Sequence, residues 1–253
     1  MTLAILSALP EEQSGLAYAL QQPRTVLRAG RQFVQGQLHG VDVVLALSGI
    51  GKVAAATTTT TLIEHFGAKS LVFTGVAGGI GAQVQVGDVV VAQQFLQHDM
   101  DVRPLFARWV VPGYEQAVFR CDGALVSALH AAAHSCTQAA AQWQSPLLAG
   151  HTPAVHQGLI ASGDQFIVSA DVSRQLHSDL QAAGHKPLAV EMEGAAIAQT
   201  CADYGIPFAA VRTISDRADD SAHVDFPAFV QSIASRYAQH IMEQFVLTYK
   251  RLT

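Results

Sequence analysis

Residues 187–216 have the sequence PLAVEMEGAAIAQTCADYGIPFAAVRTISD, which gives the clearest indication of the fold class. It begins and ends with short apolar runs, and the alanine-rich segment between them is typical of a helix. The stretch therefore predicts strands at 187–191 and 206–214 on either side of a helix at 193–204. An alternation of strand, helix and strand is typical of a mostly parallel sheet that helices cover on both faces.

The same alternation continues over the rest of the chain. Further strands are predicted at about residues 3–8, 41–47, 70–74, 88–92 and 156–162, and further helices at about 10–20, 52–66, 123–142, 170–182 and 227–251. Because strands that alternate with helices form a sheet covered on both sides, the predicted fold is α/β with a mixed, mostly parallel twisted sheet. No repeat or linker divides the sequence, so residues 1–253 are expected to form a single domain.

Two segments do not follow this alternation. Residues 99–120 are rich in aromatic residues and prolines without a clear period, and a long loop of this kind is usually functional or ordered by a partner. Residues 143–154 are expected to form a surface insertion.

The composition argues against several classes of protein. Half of the residues are hydrophobic and 14% are charged, which supports a sizeable core and some apolar surface buried in an oligomer. The net charge of -5 argues against a nucleic-acid surface, because phosphate binding needs clustered cations. No stretch is long and apolar enough for a membrane span. Three scattered cysteines and a start without signal-peptide features favour a reducing, cytoplasmic compartment.

Three acidic residues, Glu12, Glu193 and Asp216, each follow a predicted strand. Ligands of open α/β sheets bind beyond the carboxyl ends of the strands, so the three carboxyl groups meet at one edge if these strands are parallel neighbours. Three carboxyl groups without a metal-type partner indicate acid–base chemistry on a neutral or electron-poor substrate. The alternative for any one of them is a carboxylate that the helix dipole favours at the start of a helix.

Glycine-rich runs and histidines give weaker signals. Residues 75–79 (GVAGG) are expected to let the backbone approach a flat ligand closely, and a simple turn at the end of the strand is the alternative. Residues 49–54 (GIGKVA) match a loose dinucleotide fingerprint, but the acidic partner expected about 20 residues later is poorly placed, so a tight turn is favoured. His130 and His134 lie four residues apart without a third ligand nearby, and no metal site is expected.

Two further groups of polar residues lie at predicted strand ends. Residues 191–193 (EME) place two carboxylates around a methionine, and one of them can cap the next helix while the other faces a ligand. Arg212 and Ser215 supply a cation and a hydroxyl donor near Asp216, although a structural ion pair or a helix cap remains an alternative for this group.

Six blocks of sequence occur in a characteristic order: LSALPEE (6–12), SGIGKVAA (48–55), TGVAGG (74–79), SGDQFI (162–167), VEMEGAA (190–196) and RTISD (212–216). Together they resemble the nucleoside phosphorylase/nucleosidase superfamily, and most closely the bacterial 5'-methylthioadenosine/S-adenosylhomocysteine nucleosidases, over about residues 3–246. The resemblance implies a homodimeric α/β enzyme that needs no cofactor. Such an enzyme hydrolyses the N-glycosidic bond of 5'-thio-substituted adenosines to adenine and a thioribose.

The resemblance also implies roles for individual residues. Glu12 would activate water, Glu193 would bind the ribose, and Asp216 would protonate the purine with the support of Ser215 and Arg212. The implied substrate-binding residues are Leu9, Ile50, Val76, Ala77, Gly78, Phe166, Ile167, Glu191, Met192, Arg212, Ser215 and Phe226, together with Val102 and Leu105. Within this set Phe166 would stack on the base, the backbone of Ile167 would read the adenine edge, and Met192 would pack below the sugar. Leu105 stands where an aromatic residue often closes the 5' pocket from the partner subunit.

The sequence departs from this family at several positions, and two other functions stay open. Leu9 and Pro10 replace a Met-Glu pair, Val76 stands where some members carry serine, and residues 143–154 are additional. These changes leave the 5' group open among methylthio, homocysteinyl, deoxy and futalosine-type substrates. A purine nucleoside phosphorylase and a nucleoside-binding protein without turnover are the alternatives. Water is favoured over phosphate as the nucleophile because Glu11 and Glu12 would repel phosphate.

Overall fold

Ten strands form one mixed sheet in the computed structural model, which describes residues 2–140, 142–143, 148 and 151–252. The strands are β1 (Leu3–Ser7), β2 (Gln21–Arg28), β3 (Arg31–Leu38), β4 (Val41–Leu47), β5 (Ser70–Gly79), β6 (Val89–Gln97), β7 (Val118–Arg120), β8 (Val155–Ser162), β9 (Pro187–Glu191) and β10 (Phe208–Asp216). The predicted α/β class with a mixed sheet is confirmed.

The order of the strands divides the sheet into a ring and an open extension. Strands β10, β6, β8, β9 and β5 follow one another, and β10 also pairs with β5, so these five strands close on themselves. Strands β1, β4, β3 and β2 extend from β5, and β7 pairs with β6. Pairing is parallel among β4, β1, β5 and β10 and among β6, β8 and β9, whereas the other pairs are antiparallel.

Strand β5 belongs to both parts of the sheet, because it changes partner along one of its edges. Its first four residues pair with Leu3 to Leu6 of β1, and its last two pair with β9. Residues 74–77 lie between these two pairings and, among the described residues, have no strand partner on this edge of β5. Here the Val76 N–H donates a hydrogen bond to the side chain of Glu12, which lies in the turn after β1. The sheet is therefore split at this point.

Helices cover both faces of the sheet. They are α1 (Ser14–Ala19), α2 (Lys52–Glu64), α3 (Gly123–Ala140), α4 (Ala170–Ala182), α5 (Gly194–Tyr204), α6 (Ala222–Phe229) and α7 (Ser235–Tyr249), with a 3₁₀ turn at Pro10–Glu12 and a π-helical turn at Val230–Ala234. Among the described residues, no helix has both the length and the apolar character that crossing a membrane requires.

Alternate residues of the central strands supply two separate cores. Leu3 and Ile5 of β1 pack into the core under α1, α3 and α7, whereas Ala4 and Leu6 pack into the core under α2 and α5. Successive side chains of a strand point to opposite faces, so a strand buried on both faces has a continuous apolar run. This explains why the buried strands were visible in the sequence.

An antiparallel hairpin at the edge of the sheet was missed by the sequence analysis. Strands β2 and β3 pair with each other, and β2 is largely exposed and rich in Gln and Arg, so it lacks the apolar run that identified the other strands. The turn between them, Ala29-Gly30, has positive φ at both positions, as a two-residue hairpin turn of type I′ requires. Ala-Gly is a weak sequence signal for such a turn.

Several boundaries also differ from the prediction. Strand β5 continues through the glycines to Gly79 and β6 continues to Gln97, because their neighbours β10 and β8 extend the pairing. The predicted helix at 10–20 is a 3₁₀ turn followed by a short α-helix, and the predicted helix at 227–251 is divided among α6, the π-helical turn and α7. The segment 99–120 contains β7.

The predicted insertion at 143–154 is only partly covered, since residues 144–147 and 149–150 lie outside the described residues. Within the described part, Trp143 packs edge-on against Tyr237, and Leu148 is buried beside Gly87. His151 Nε2 and the Ala154 N–H both contact Asp88. Trp143 and Leu148 are therefore packed against the core, whereas Thr152 and Ala154 are exposed.

Candidate active site

The ends of β1, β5, β9 and β10 surround a cavity of about 280 Å³. Most of the residues proposed from the sequence line it: Leu9, Glu12, Ile50, Val76, Ala77, Gly78, Phe166, Glu191, Met192, Glu193, Ser215, Asp216 and Phe226. A side cavity of about 30 Å³ adjoins it and is lined by Ile167, Asp216 and Ala218, among others. Glu12, Glu193 and Asp216, which are far apart in the sequence, thus share one cavity.

Glu12 is held in the split of the sheet by backbone donors. Its Oε2 accepts hydrogen bonds of 2.9 Å from the N–H groups of Ala8 and Leu9, and its Oε1 accepts one of 2.9 Å from Val76. Burial raises the pKa of the Glu12 carboxyl, although Arg212 and the three N–H donors act in the opposite direction. The carboxyl group is therefore fixed in position and holds a proton more tightly than an exposed glutamate.

Arg212 is a buried cation behind the cavity. Its guanidinium lies 3.6 Å from the centre of the Phe73 ring and forms an ion pair with Glu191. A Cβ on Gly75 would lie 2.5 Å from Glu12 Oε1 and would also collide with the guanidinium. Glycine at position 75 is thus required so that Glu12 and Arg212 can both approach β5.

Glu191 anchors the start of α5. Its carboxylate accepts hydrogen bonds from the N–H groups of Glu193 at 3.1 Å and Gly194 at 2.9 Å, and from the hydroxyl of Ser162. Together with Arg212, these donors occupy most of its acceptor capacity. A carboxylate at this place also interacts favourably with the helix dipole. Glu191 therefore has mainly a capping geometry, although it lines the cavity.

Glu193 has a different environment, although it is only two residues away. Its Oε1 accepts a hydrogen bond of 2.8 Å from the Gly51 N–H, and its Oε2 lies 3.4 Å from Arg212 Nη2. Burial, followed by the nearby charge of Glu191, raises the pKa of Glu193 to about 7. The two acids of the EME run diverge, and Glu193 is the one that can change its charge near neutral pH.

Asp216 ends β10 at the junction of the cavity and its side cavity. Its Oδ2 accepts a hydrogen bond of 2.8 Å from the Ser215 hydroxyl, and its Oδ1 accepts one of 2.8 Å from the Ala218 N–H. Burial raises the pKa of Asp216 despite these donors. A Cβ on Gly78 would lie 2.9 Å from Asp216 Oδ1, so glycine at this position also leaves space for the acid.

Apolar side chains form the rest of the cavity wall. Phe166 and Phe226 contact each other edge to face, with ring centroids 5.4 Å apart. Phe166 remains 47% exposed and Ile50 59% exposed, so these two side chains lie at the open mouth of the cavity. Met192 lines both the cavity and the side cavity.

Three residues proposed from the sequence line neither the cavity nor the side cavity of this chain. Arg212 lies behind the carboxylates, and Val102 and Leu105 lie away from the lining, with Leu105 82% exposed. A contribution of Leu105 to a partner's pocket is therefore still a prediction. Ala8, Val190, Gln165 and Ala218 line the two cavities but were not predicted, since small, apolar or amide side chains carry no distinctive chemical signal.

The other sequence motifs lie outside the cavity or have structural explanations. Gly49 and Gly51 both have positive φ, as the predicted tight turn requires. His130 and His134 are in edge-to-face contact on α3. Within the described residues, no group of three or more His, Cys, Asp or Glu side chains is arranged to hold a metal ion.

The chain is similar to characterised protein families over nearly its whole length. A family model described as the phosphorylase superfamily matches residues 2–247. The 5'-methylthioadenosine/S-adenosylhomocysteine nucleosidase of Geobacillus thermodenitrificans (strain NG80-2) is 37% identical over 248 residues, which cover 98% of this chain and 97% of that protein.

Solved structures show the same similarity. The crystal structure of the 5'-methylthioadenosine/S-adenosylhomocysteine nucleosidase from Neisseria meningitidis in complex with methylthio-immucillin-A has a TM-score of 0.85 at 35% identity and covers 98% of this chain and 99% of that chain. A futalosine hydrolase mutant of Helicobacter pylori strain 26695 has a TM-score of 0.83 at 28% identity, with coverage of 98% and 99%.

The raised pKa of Glu193 predicts a pH-dependent stability. Folding raises this pKa from 4.5 to about 7, so the stabilisation is complete below about pH 4.5 and is lost as the pH rises through about 7. The free energy of unfolding, measured by urea denaturation, should fall by up to ~1.4 kcal/mol per pH unit in this window because of this one group. Glu193→Gln should remove that part of the slope, and the exposed-site control Glu11→Gln should not. Equal slopes in the two variants would contradict the assignment.

Proposed function

This chain belongs to the phosphorylase superfamily and, within it, to the family of the 5'-methylthioadenosine/S-adenosylhomocysteine nucleosidases, and we propose that it hydrolyses 5'-thio-substituted adenosines. The reaction cleaves the N-glycosidic bond with water and releases adenine and a thioribose. The observation that carries this proposal is the convergence of Glu12, Glu193 and Asp216 on one cavity. Three carboxyl groups in different environments allow acid, base and sugar-binding roles to be separated.

The base occupies the side of the cavity next to Asp216. This carboxyl reaches both the cavity and the side cavity, and its raised pKa favours the protonated form that a general acid needs. Protonation of the purine at N7 withdraws electrons from the bond between the base and the sugar, so the base leaves as neutral adenine. Phe166 stacks on the base, and the backbone of Ile167 reads its edge.

The sugar occupies the part of the cavity that Glu12, Met192 and Glu193 line. As the bond to the base breaks, the ribose becomes an electron-deficient oxocarbenium-like species. Glu193 binds the ribose hydroxyl groups and stabilises the developing positive charge more strongly than the neutral substrate. Glu12 takes a proton from the attacking water, and the oxygen of that water forms the new bond to the sugar carbon.

The charge balance of the site also favours a cationic transition state. Glu12, Glu191 and Glu193 are buried around the guanidinium of Arg212, and Asp216 adds a fourth buried carboxyl group to the lining of the same cavity. Carboxyl groups that exceed the nearby cations in a site of low polarity either keep a proton or attract a positive charge. The oxocarbenium-like sugar and the protonated base supply that positive charge only during the reaction.

Water rather than phosphate is the nucleophile. A phosphate site needs cationic side chains or several backbone N–H groups. Among the described residues that line the cavity there is no Lys or Arg, and Arg212 behind it is engaged by Glu191 and Glu193. The N–H groups of Leu9 and Val76, which lie at the cavity wall, donate to Glu12.

A futalosine-type nucleoside is the second candidate substrate. The similarity to a futalosine hydrolase from Helicobacter pylori supports it, since that structure covers nearly the whole chain. Leu9, Ile50 and Phe226 give the cavity wall an apolar character, which fits a methylthio group. The methylthio substrate is therefore the first choice.

The active enzyme is a homodimer in the cytoplasm. Ile50, Val53 and Leu105 expose large apolar side chains, and a second copy of the chain would bury such surface. In the dimer, Leu105 of one subunit covers the 5' end of the partner's cavity. The three cysteines are free thiols, as is usual in a reducing compartment.

Replacement of either the proposed base, Glu12, or the proposed acid, Asp216, should nearly abolish turnover. Glu12→Gln and Asp216→Asn should each reduce kcat for adenine release from methylthioadenosine at least ~100-fold, the scale of one general acid or base. Glu11→Gln and Asp220→Asn change exposed neighbours of the same residue types and should retain activity. Near-normal adenine release by both cavity variants would refute the proposed roles.

Base release should not depend on phosphate. In phosphate-free buffer, the protein should release adenine from methylthioadenosine, and added phosphate should leave the rate unchanged. Adenosylhomocysteine, 5'-deoxyadenosine and a futalosine-type nucleoside, assayed in parallel, identify the preferred 5' group. A strict requirement for phosphate would establish a phosphorylase, whereas tight binding with no base released over hours would indicate a sensor.

A charge at the exposed residue 105 should disturb the dimer and the 5' pocket together. Leu105→Asp should lower the dimer fraction in sedimentation at micromolar protein and raise KM for methylthioadenosine. Leu27→Asp alters another exposed leucine, on the edge strand β2, and should change neither. A fully active monomer would count against the dimer.

A further inference from the structure

Three charged residues outside the cavity lining form a closed set of contacts, the Lys52–Asp99–Asp164 triangle. Lys52 Nζ lies 2.6 Å from Asp99 Oδ1. The Lys52 N–H donates to Asp164 Oδ1 at 2.8 Å, and the Asp164 N–H donates to Asp99 Oδ2 at 2.9 Å. Each residue thus contacts the other two, and the triangle joins the start of α2, the segment after β6 and the loop after β8.

Two of these three segments carry residues that line the cavity. Ile50 lies two residues before Lys52, and Phe166 lies two residues after Asp164. The Gly51 N–H, next to Lys52, donates to Glu193 Oε1 at 2.8 Å. Lys52 of the triangle is therefore the sequence neighbour of Gly51, whose N–H binds the Glu193 carboxyl group.

The conformation of Gly51 depends on this arrangement. Its φ of +98° is accessible to glycine and rarely to other residues. A Cβ at this position would lie 3.1 Å from Asp164 Oδ1, so the Asp164 carboxylate packs directly against the turn. Asp164 thus fixes the direction of the turn that points the Gly51 N–H at Glu193.

The triangle is partly shielded from solvent at the side chains of Lys52 and Asp99, whereas Asp164 is exposed. The side chains of Lys52 and Asp99 are 17% and 23% exposed. Burial alone would raise the pKa of Asp99, but the bonds from Lys52 and Asp164 outweigh it and lower this pKa. Lys52 Nζ also contacts Gln97 Oε1 at 3.0 Å, which further restricts the lysine side chain.

We propose that Lys52, Asp99 and Asp164 are positioning residues. They keep the Gly51 N–H in its hydrogen bond to Glu193 and keep the loop after β8 that carries Phe166 (residues 163–169, the Phe166 loop) at the cavity before the substrate binds. None of the three lines the cavity. They act by preorganisation, because a donor already in place needs no rearrangement when charge develops on the sugar. This inference rests on the proposed nucleosidase activity.

The charged and polar groups that face Glu193 determine how its pKa would change if the triangle were lost. Arg212 and the Gly51 amide lower its pKa, whereas Glu191 and Glu12 raise it. If the turn moves, the Gly51 donor is lost while the other groups remain. The pKa of Glu193 should then rise further, and the pH dependence of kcat should shift to higher pH.

The test compares variants of the triangle with a matched exposed ion pair. Asp164→Ala and Lys52→Met should each lower kcat about tenfold or more and shift the kcat–pH profile upward, and Asp164→Asn, which keeps an acceptor oxygen, should recover most of the activity. The double variant Lys52→Met/Asp164→Ala should lose less than the sum of the single effects, because both act on one turn. Arg174→Met breaks the exposed pair with Asp171 and should leave kcat unchanged.

Adenine binding, measured by calorimetry, separates this inference from the proposed activity. Because the Phe166 loop moves, Asp164→Ala and Lys52→Met should bind adenine about tenfold more weakly than the unmodified protein. If the unmodified protein binds adenine but releases none from any nucleoside, the proposed activity fails, and weaker binding by the variants still supports the positioning role. The inference would be overturned if folded Lys52→Met had the same kcat, the same kcat–pH profile and the same adenine affinity as the unmodified protein. If Asp164→Ala does not fold, Lys52→Met and Asp164→Asn decide the outcome.

Discussion

Arg212 lies fully buried at the centre of the site, with the Phe73 ring on one face and the carboxylate of Glu191 at its edge. Glu193 lies 3.4 Å from it, and Glu12 is close enough for the guanidinium to lower its pKa. The cation permits several carboxyl groups to be buried together, but one positive charge cannot balance them all. The excess negative charge links the architecture to the chemistry, because a reaction that generates positive charge is favoured there.

The split of the sheet beside β5 provides the space for this arrangement. Where β1 ends and β9 has not yet begun to pair, the Val76 N–H would otherwise be an unsatisfied donor in the interior, and the Glu12 side chain accepts its hydrogen bond. The same glycine-rich end of β5 keeps Cβ atoms away from Glu12, Arg212 and Asp216. The fold thus supplies buried carboxyl groups that face a cavity.

The buried strands and the acidic residues at their ends could be predicted from the sequence. It identified β1, β4, β8, β9 and β10 closely, because strands buried on both faces have continuous apolar runs, and it identified the acids because they follow these runs. It missed the exposed hairpin β2–β3, which has no such run. The EME run predicted that one acid can cap the helix while the other faces the ligand, but the run alone could not show that Glu191 is the capping residue, since this depends on Ser162 and Arg212 from distant segments. The resemblance to a family supplied the roles of the residues, which geometry alone does not assign.

Isotope-edited infrared spectroscopy of carboxyl-labelled protein tests most directly whether the excess of buried carboxyl groups over Arg212 keeps a proton in the site at neutral pH. A carbonyl band of protonated carboxyl groups is expected at pH 7, and it should weaken in Glu193→Gln but not in the exposed variant Asp220→Asn. A spectrum at pH 7 that contains only ionised carboxylates would contradict this expectation.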